Sequence, residues 1–279
     1  MDQLNLNWIV GFTDAEGYFL AYKMGNRRRI VFSISQHETE MQTLEALKSH
    51  FGCGYIICNG KNRKVYEYRI FGAKSIISKI IPLFDQFCLK TRKRLDYSDF
   101  RKVAFLIQAR PQKNWPMSRR LARIGEIDRL IGKMNNKRDY KGYKALQHLD
   151  NADWLVGFTE GDGCFSATIT KSRILMTFWI TQNHLDRSLL LAIKDWFNCG
   201  HVYPLKGSRK DNTIQYTVQK RSDLTNLIVP FFEKHPLRTV KKQKDFEAFK
   251  SILNILNTRK PLSSADRNEL QQIWENKYS

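Results

Sequence analysis

The chain has 279 residues, enough for one large domain or two of ordinary size, each able to bury a core. At 42% hydrophobic and 12% aromatic it is a folding composition. It holds no apolar run near the roughly 20 residues of a membrane span, and its start, MDQLNLNWIV, lacks a signal-peptide pattern, so an intracellular protein without a membrane partner is expected. Lys+Arg 47 against Asp+Glu 27 gives +20, spread along the chain rather than gathered in a tail, which suits a folded basic surface for a polyanion, DNA or RNA.

Asn7 is placed to cap a first helix that runs through WIVGFTDAE. Strands are predicted at Gly17–Met24 and Arg29–Gln36, a helix at Glu38–Phe51, and short strands near Tyr55–Asn59 and Val65–Ile70. Helices rich in Ile, Leu and Phe follow, then a polar, basic stretch, Asn135–Lys144, that reads as linker. Then the pattern begins again. WIVGFTDAEGYF (Trp8 to Phe19) matches WLVGFTEGDGCF (Trp154 to Phe165), a shift of 146 residues that holds without a gap to Gly54 and Gly200. Farther on the register drifts, Pro82 meeting Pro230 and Asp96–Tyr97 meeting Asp245–Phe246. A period this long means duplicated domains rather than a solenoid. The expected layout is α+β: a first subdomain at 1–136, a linker at 137–150, and a second subdomain at 151–279, its first helix capped by Asn151. The five cysteines are odd in number and form no C-x-x-C pair, which argues against zinc or a disulfide framework.

Chemistry concentrates in the repeated motif. Gly11 and Ala15, like Gly157 and Gly161, are four apart on one helix face and allow close backbone approach. If the two motif helices pack together, Glu16 and Asp162 at their ends converge beside helix-terminal carbonyls. That is a hard-oxygen site suited to Mg²⁺ and to phosphodiester hydrolysis. Asp14 and Glu160, two residues earlier, point elsewhere and are expected to be structural, paired with nearby basic groups.

IVGFTDAEG (Ile9–Gly17) and LVGFTEGDG (Leu155–Gly163) resemble the paired signature of the LAGLIDADG homing endonucleases, over almost the whole chain and in the single-chain, two-motif branch. The resemblance implies two tandem αββαββα subdomains with pseudo-twofold symmetry, whose antiparallel sheets form a saddle on DNA. It implies a monomer that binds a long asymmetric duplex site and cuts both strands with short 3′ overhangs. Mg²⁺ or Mn²⁺ is the implied cofactor, and Ca²⁺ binds without supporting cleavage. Glu16 and Asp162 take the catalytic metal-binding role, with the carbonyls of Ala15 and Gly161 as further ligands. Gln36 and Gln182 match a polar residue that orders water, and a catalytic cation is either Arg92 or Lys93 in the first half and either Lys241 or Lys242 in the second. Organelle encoding, in a mitochondrion or chloroplast, is also what the family implies.

Strand alternation supplies the DNA-reading residues: Tyr18, Tyr22, Arg27, Arg29, Ser33, Asn59, Glu67 and Arg69 in the first copy, and Ser166, Thr168, Thr170, Gln215, Thr217 and Gln219 in the second. Three functions are open on such a scaffold: a homing endonuclease, an RNA maturase that assists splicing, and a non-catalytic DNA-binding regulator. An acid kept in both motifs favours cleavage, because neither binding role needs two carboxylates.

Overall fold

The computed structural model describes every residue except 1–3, 59–63, 110–113, 145, 147, 206–211, 260 and 279. The chain divides into two compact units, Met1–Lys144 and Ala145–Ser279. In the first, helix α1 (Leu6–Glu16) leads into strands β1 (Gly17–Met24) and β2 (Arg27–His37), helix α2 (Met41–Phe51), and strands β3 (Tyr55–Cys58) and β4 (Val65–Phe71). A helical stretch with α3 (Ala73–Ser75) and α4 (Ile81–Gln86) follows, then α5 (Lys93–Gln108) and α6 (Met117–Gly132). The second unit repeats the order: α7 (Ala152–Asp162), β5 (Gly163–Ile169), β6 (Ile174–Asn183), α8 (Arg187–Phe197), β7 (His201–Pro204), β8 (Thr213–Val218), α9 (Arg221–Asp223), α10 (Val229–Lys234), α11 (Val240–Thr258) and α12 (Ser264–Glu275). This is the expected helix–strand–strand–helix–strand–strand–helix unit, built twice.

Each unit has one four-stranded antiparallel sheet, ordered β1-β2-β4-β3 in the first and β5-β6-β8-β7 in the second. Helices cover one face. Phe19 sits at the centre of an aromatic cluster with Phe32, Phe84 and Phe100, ring centroids 5.3–5.8 Å apart. In the second unit Phe165 takes that place among Phe178, Phe232, Phe246 and Phe249 at 5.1–5.5 Å. Alternation along β1 puts Phe19 and Ala21 in this core and Tyr18, Leu20 and Tyr22 on the opposite, open face.

Local details follow from residue chemistry. The cap of α1 is Asn5, not Asn7: the Asn5 side chain accepts the Asn7 and Trp8 amides, which places Asn7 inside the first turn. Asn151 caps α7 as expected, accepting from the Trp154 amide. Each unit also carries one π-type turn, Ile76–Ile80 and Leu224–Ile228, directly before the helices that contain Pro82 and Pro230. A proline ring lacks the N–H of the ordinary ladder and crowds the carbonyl four residues back, so the preceding turn widens.

Candidate active site and nucleic-acid interface

The motif helices end abruptly. Gly17 and Gly163 close α1 and α7 with their N–H groups on the Thr13 and Thr159 carbonyls, and the chain turns at once into β1 and β5. A Cβ at Gly17 would lie 2.3 Å from Thr13 Cγ2 and 2.7 Å from Thr13 O, and one at Gly163 would lie 2.6 Å from the same two atoms of Thr159. Only glycine permits this close approach. The turn leaves Glu16 and Asp162 as the last helical residues, half-buried, where the negative end of each helix and the carboxylate act in the same sense. Gln182 on β6 donates through Nε2 to Asp162 Oδ2. Gln36 occupies the matching place on β2, paired with Tyr66 of β4.

Basic groups approach each helix end from the following long helix. Lys93, the first residue of α5, donates from Nζ to Ala15 O at 2.6 Å and to Thr13 O at 3.2 Å. Arg92 instead lies over the Tyr140 ring, 5.3 Å from its centroid. In the second unit Lys242 donates to Gly163 O, and Lys241 is exposed. Burial pushes the Lys242 ammonium below its ordinary pKa, with partial compensation from Cys164 and Asp245. Lys93 and Lys242 thus make hydrogen bonds to the motif-helix ends, and Arg92 lines a cavity with Gly17, Tyr18 and Lys93.

Asp14 and Glu160 are buried, 1% and 5% exposed. Both accept hydrogen bonds from backbone amides and a threonine hydroxyl, and Glu160 also interacts electrostatically with Lys242. Asp14 takes the Lys90 and Thr91 amides at 2.8 and 3.0 Å and the Thr91 hydroxyl at 2.6 Å. Glu160 takes the Arg238 amide, the Thr239 amide at 2.6 Å and the Thr239 hydroxyl at 3.1 Å.

From each helix end the open face of the sheet extends outward. In the first unit a groove of about 560 Å³ runs from Ala15, Glu16 and Lys93 past Tyr18, Tyr22, Ser33, Glu67 and Arg69. Cross-strand pairs Tyr18–Ser33, Tyr22–Arg29, Ser33–Arg69 and Met24–Arg27 set all of these on one face. Glu67 is buried there and accepts from Arg69 Nε at 2.7 Å, which orients the guanidinium. Asn59 lies outside the described residues. In the second unit Ser166 and Thr168 share the open face with Gln215 and Thr217. Their partners form a neutral network: Gln215 donates to Thr181 Oγ1 at 3.1 Å, and Thr217 donates to the Tyr203 hydroxyl at 3.0 Å. The described strand residues of this unit include no Lys, Arg, Asp or Glu. Thr170 lies one residue beyond β5, and its hydroxyl closes the turn by exchanging hydrogen bonds with the Arg173 carbonyl and amide. Gln219 follows β8 and is exposed.

A LAGLIDADG endonuclease family model matches residues 9–104 and again 155–253. The chain belongs to the LAGLIDADG endonuclease family. A probable intron-encoded endonuclease of Neurospora crassa is 25% identical over 97% of this chain, which spans 64% of that relative's length. Among solved structures, the LAGLIDADG homing endonuclease I-GzeII in complex with its DNA target matches with a TM-score of 0.85 at 25% identity, over 98% of each chain. I-SmaMI bound to uncleaved DNA in the presence of calcium ions matches at 0.84 and 26%, also over 98% of each. Within this LAGLIDADG chain, alternation alone missed several residues of the open faces. Leu20, Val31 and Phe71 line the groove although apolar, and Trp179, Thr181 and Tyr203 share the face with Thr217 and Gln215. Register between strands finds them, because each is paired with a residue of known orientation. Thr91 and Thr239 were also missed, and their signal is the recurrence of LKTRK as LRTVKK.

Proposed function

We propose that this protein is a site-specific homing endonuclease, a monomer that hydrolyses both strands of a long asymmetric DNA site to leave short 3′ overhangs. One observation carries the reading: the same set of groups, a terminal carboxylate, helix-end carbonyls and a lysine ammonium, is built in both units. A binding protein needs no such duplication of buried and half-buried charge.

No group of three or more His, Cys, Asp or Glu poised for a metal occurs among the described residues. The donors present, one carboxylate and adjacent carbonyls per unit, suit a hard cation that takes its remaining ligands from phosphate and water, as Mg²⁺ does. Glu16 with Ala15 O in one unit, and Asp162 with Gly161 O in the other, would hold Mg²⁺ or Mn²⁺. When bound, such an ion supplies a nucleophilic hydroxide and stabilises the leaving oxygen. Around it, Gln182 orients the Asp162 carboxylate, and Gln36 serves the first unit. Lys93 and Lys242 place positive charge where the phosphate gains negative charge. Arg27, Arg29 and Arg69 favour guanine edges or phosphates in the major groove, and Gln215 and Thr217 read bases through neutral hydrogen bonds. Kinship with a probable intron-encoded endonuclease supports encoding within an organellar mobile intron, whose insertion site, joined without the intron, is the target.

The test is a plasmid carrying that intron-free sequence. Linearisation is expected with Mg²⁺ or Mn²⁺ and is lost with a chelator, and Ca²⁺ is expected to give a gel shift without cutting. Tight DNA retention with no cleavage in any divalent ion would reassign the chain as a regulator, and preference for the intron RNA would reassign it as a maturase.

A further inference from the structure

The earlier acid of each motif, Asp14 or Glu160, has no part in the metal site just described, yet it is the more deeply buried of the two. Burying an ionised carboxylate is costly unless donors replace its water. Here donors come from the segment that enters α5 or α11: the amides of Lys90 and Thr91, or of Arg238 and Thr239, with the threonine hydroxyl. In the first unit the contacts close a ring. Asp14 grips Thr91 through its amide and hydroxyl, and the Thr91 hydroxyl accepts from the Lys93 amide at 3.3 Å. The Lys93 ammonium then returns to α1, on Ala15 O and Thr13 O. In the second unit Glu160 grips Thr239 in the same way, and Lys242, one residue farther along than in the first unit, donates to Gly163 O where α7 ends. Acids that were merely satisfied would not need donors two or three residues ahead of the same lysine in both copies.

We propose that Asp14 and Glu160 are positioning residues: each fixes the start of the following helix so that Lys93 or Lys242 is held against the end of the motif helix. This rests on the reading that the lysines stabilise the phosphate during cleavage. Misplacement of a charged group by about an ångström costs up to roughly a hundredfold in rate. Asp14→Asn is therefore expected to slow single-turnover cleavage about ten- to a hundredfold with DNA affinity unchanged.

A double-mutant cycle tests it. Asp14→Asn combined with Lys93→Ala should be no slower than Lys93→Ala alone, and Glu160→Gln with Lys242→Ala should behave likewise. A second readout is independent of activity: acylation of Lys93 by an amine reagent, followed by mass spectrometry, should rise in Asp14→Asn. Where Asp14→Asn fails to fold, Thr91→Val, which removes only the hydroxyl, carries the same comparison, and Thr91→Ser should restore the native values. Multiplicative rate losses, or unchanged acylation, would overturn the proposal. If Lys93→Ala and Lys242→Ala both cut at the native rate, the catalytic reading of the lysines fails, and the acylation result still decides whether the acids position them.

Discussion

Gly17 and Gly163 are where the motif's demand on a single residue is sharpest. Their backbone is extended, with φ −77° and −90°, so conformational freedom is not the reason for glycine. The reason is space: a methyl group at either position meets the threonine one turn earlier at 2.3–2.7 Å, and part of that contact is rigid backbone. Gly163→Ala should therefore force α7 and β5 apart and destabilise the protein by about 1–3 kcal/mol, the range of overpacked cores. Urea unfolding would measure it, and a native midpoint would show that the turn has slack. Because the displaced turn carries Asp162, cleavage should fall further than the folded fraction does.

At the scale of elements, β1 and β2 form a ribbon whose far end is fastened to α6. Arg28 makes a two-pronged contact with Asp128, Nε to Oδ1 at 2.9 Å and Nη2 to Oδ2 at 2.7 Å, and Lys23 joins at 2.8 Å. Strand alternation separates the three arginines of this ribbon: Arg28 faces the helices, and Arg27 and Arg29 stay on the open face. The Arg28 hydrogen bonds hold the Asp128 carboxyl down to about 2, against an ordinary 3.8. A depressed carboxylate contributes stability that is present above the ordinary value and is lost as pH falls toward the lowered one. The group is partly exposed, so the contribution is about 1 kcal/mol at most. Asp128→Asn should thus melt below the native protein at pH 7, and the two should converge between pH 4 and 2. A gap that persists at pH 2 would mean packing rather than charge is lost.

Much of this architecture was legible because it is written twice. Duplication fixed the order of elements and picked out Glu16 and Asp162 against a diverged background. What stayed hidden was three-dimensional register. Lys241 and Lys242 cannot be told apart from a sequence with an inserted residue nearby, but the helical phase of α11 turns one toward Gly163 and the other outward. Along β2 the run Ile30 to Ile34 is buried on both faces, so alternation vanishes along the open face of the sheet. Asn5 and Asn7 both have capping chemistry, and only the backbone shows which one precedes the helix.

Across the described residues, the copies differ in the chemistry of their open faces. The first presents Arg27, Arg29 and Arg69 with Glu67, and the second presents a network of Thr, Gln and Tyr. On the proposed reading, the net +20 serves to bind DNA phosphates. If about 8–12 phosphates are neutralised, log affinity should fall with log salt at a slope of roughly −7 to −11. Titrations at several salt concentrations measure it, and a near-flat dependence would assign the charge to another purpose. A stable dimer required for cleavage, seen by sedimentation, would contradict the monomeric reading. The central claim is that the two terminal carboxylates, one from each copy, serve one cleavage reaction. Glu16→Gln and Asp162→Asn preserve shape and remove the charge that would hold a divalent ion. Measured side by side on the same duplex, each variant should bind like the native protein and lose double-strand cleavage. Glu16→Gln and Asp162→Asn proteins that both bind and cut at native rates would contradict the account.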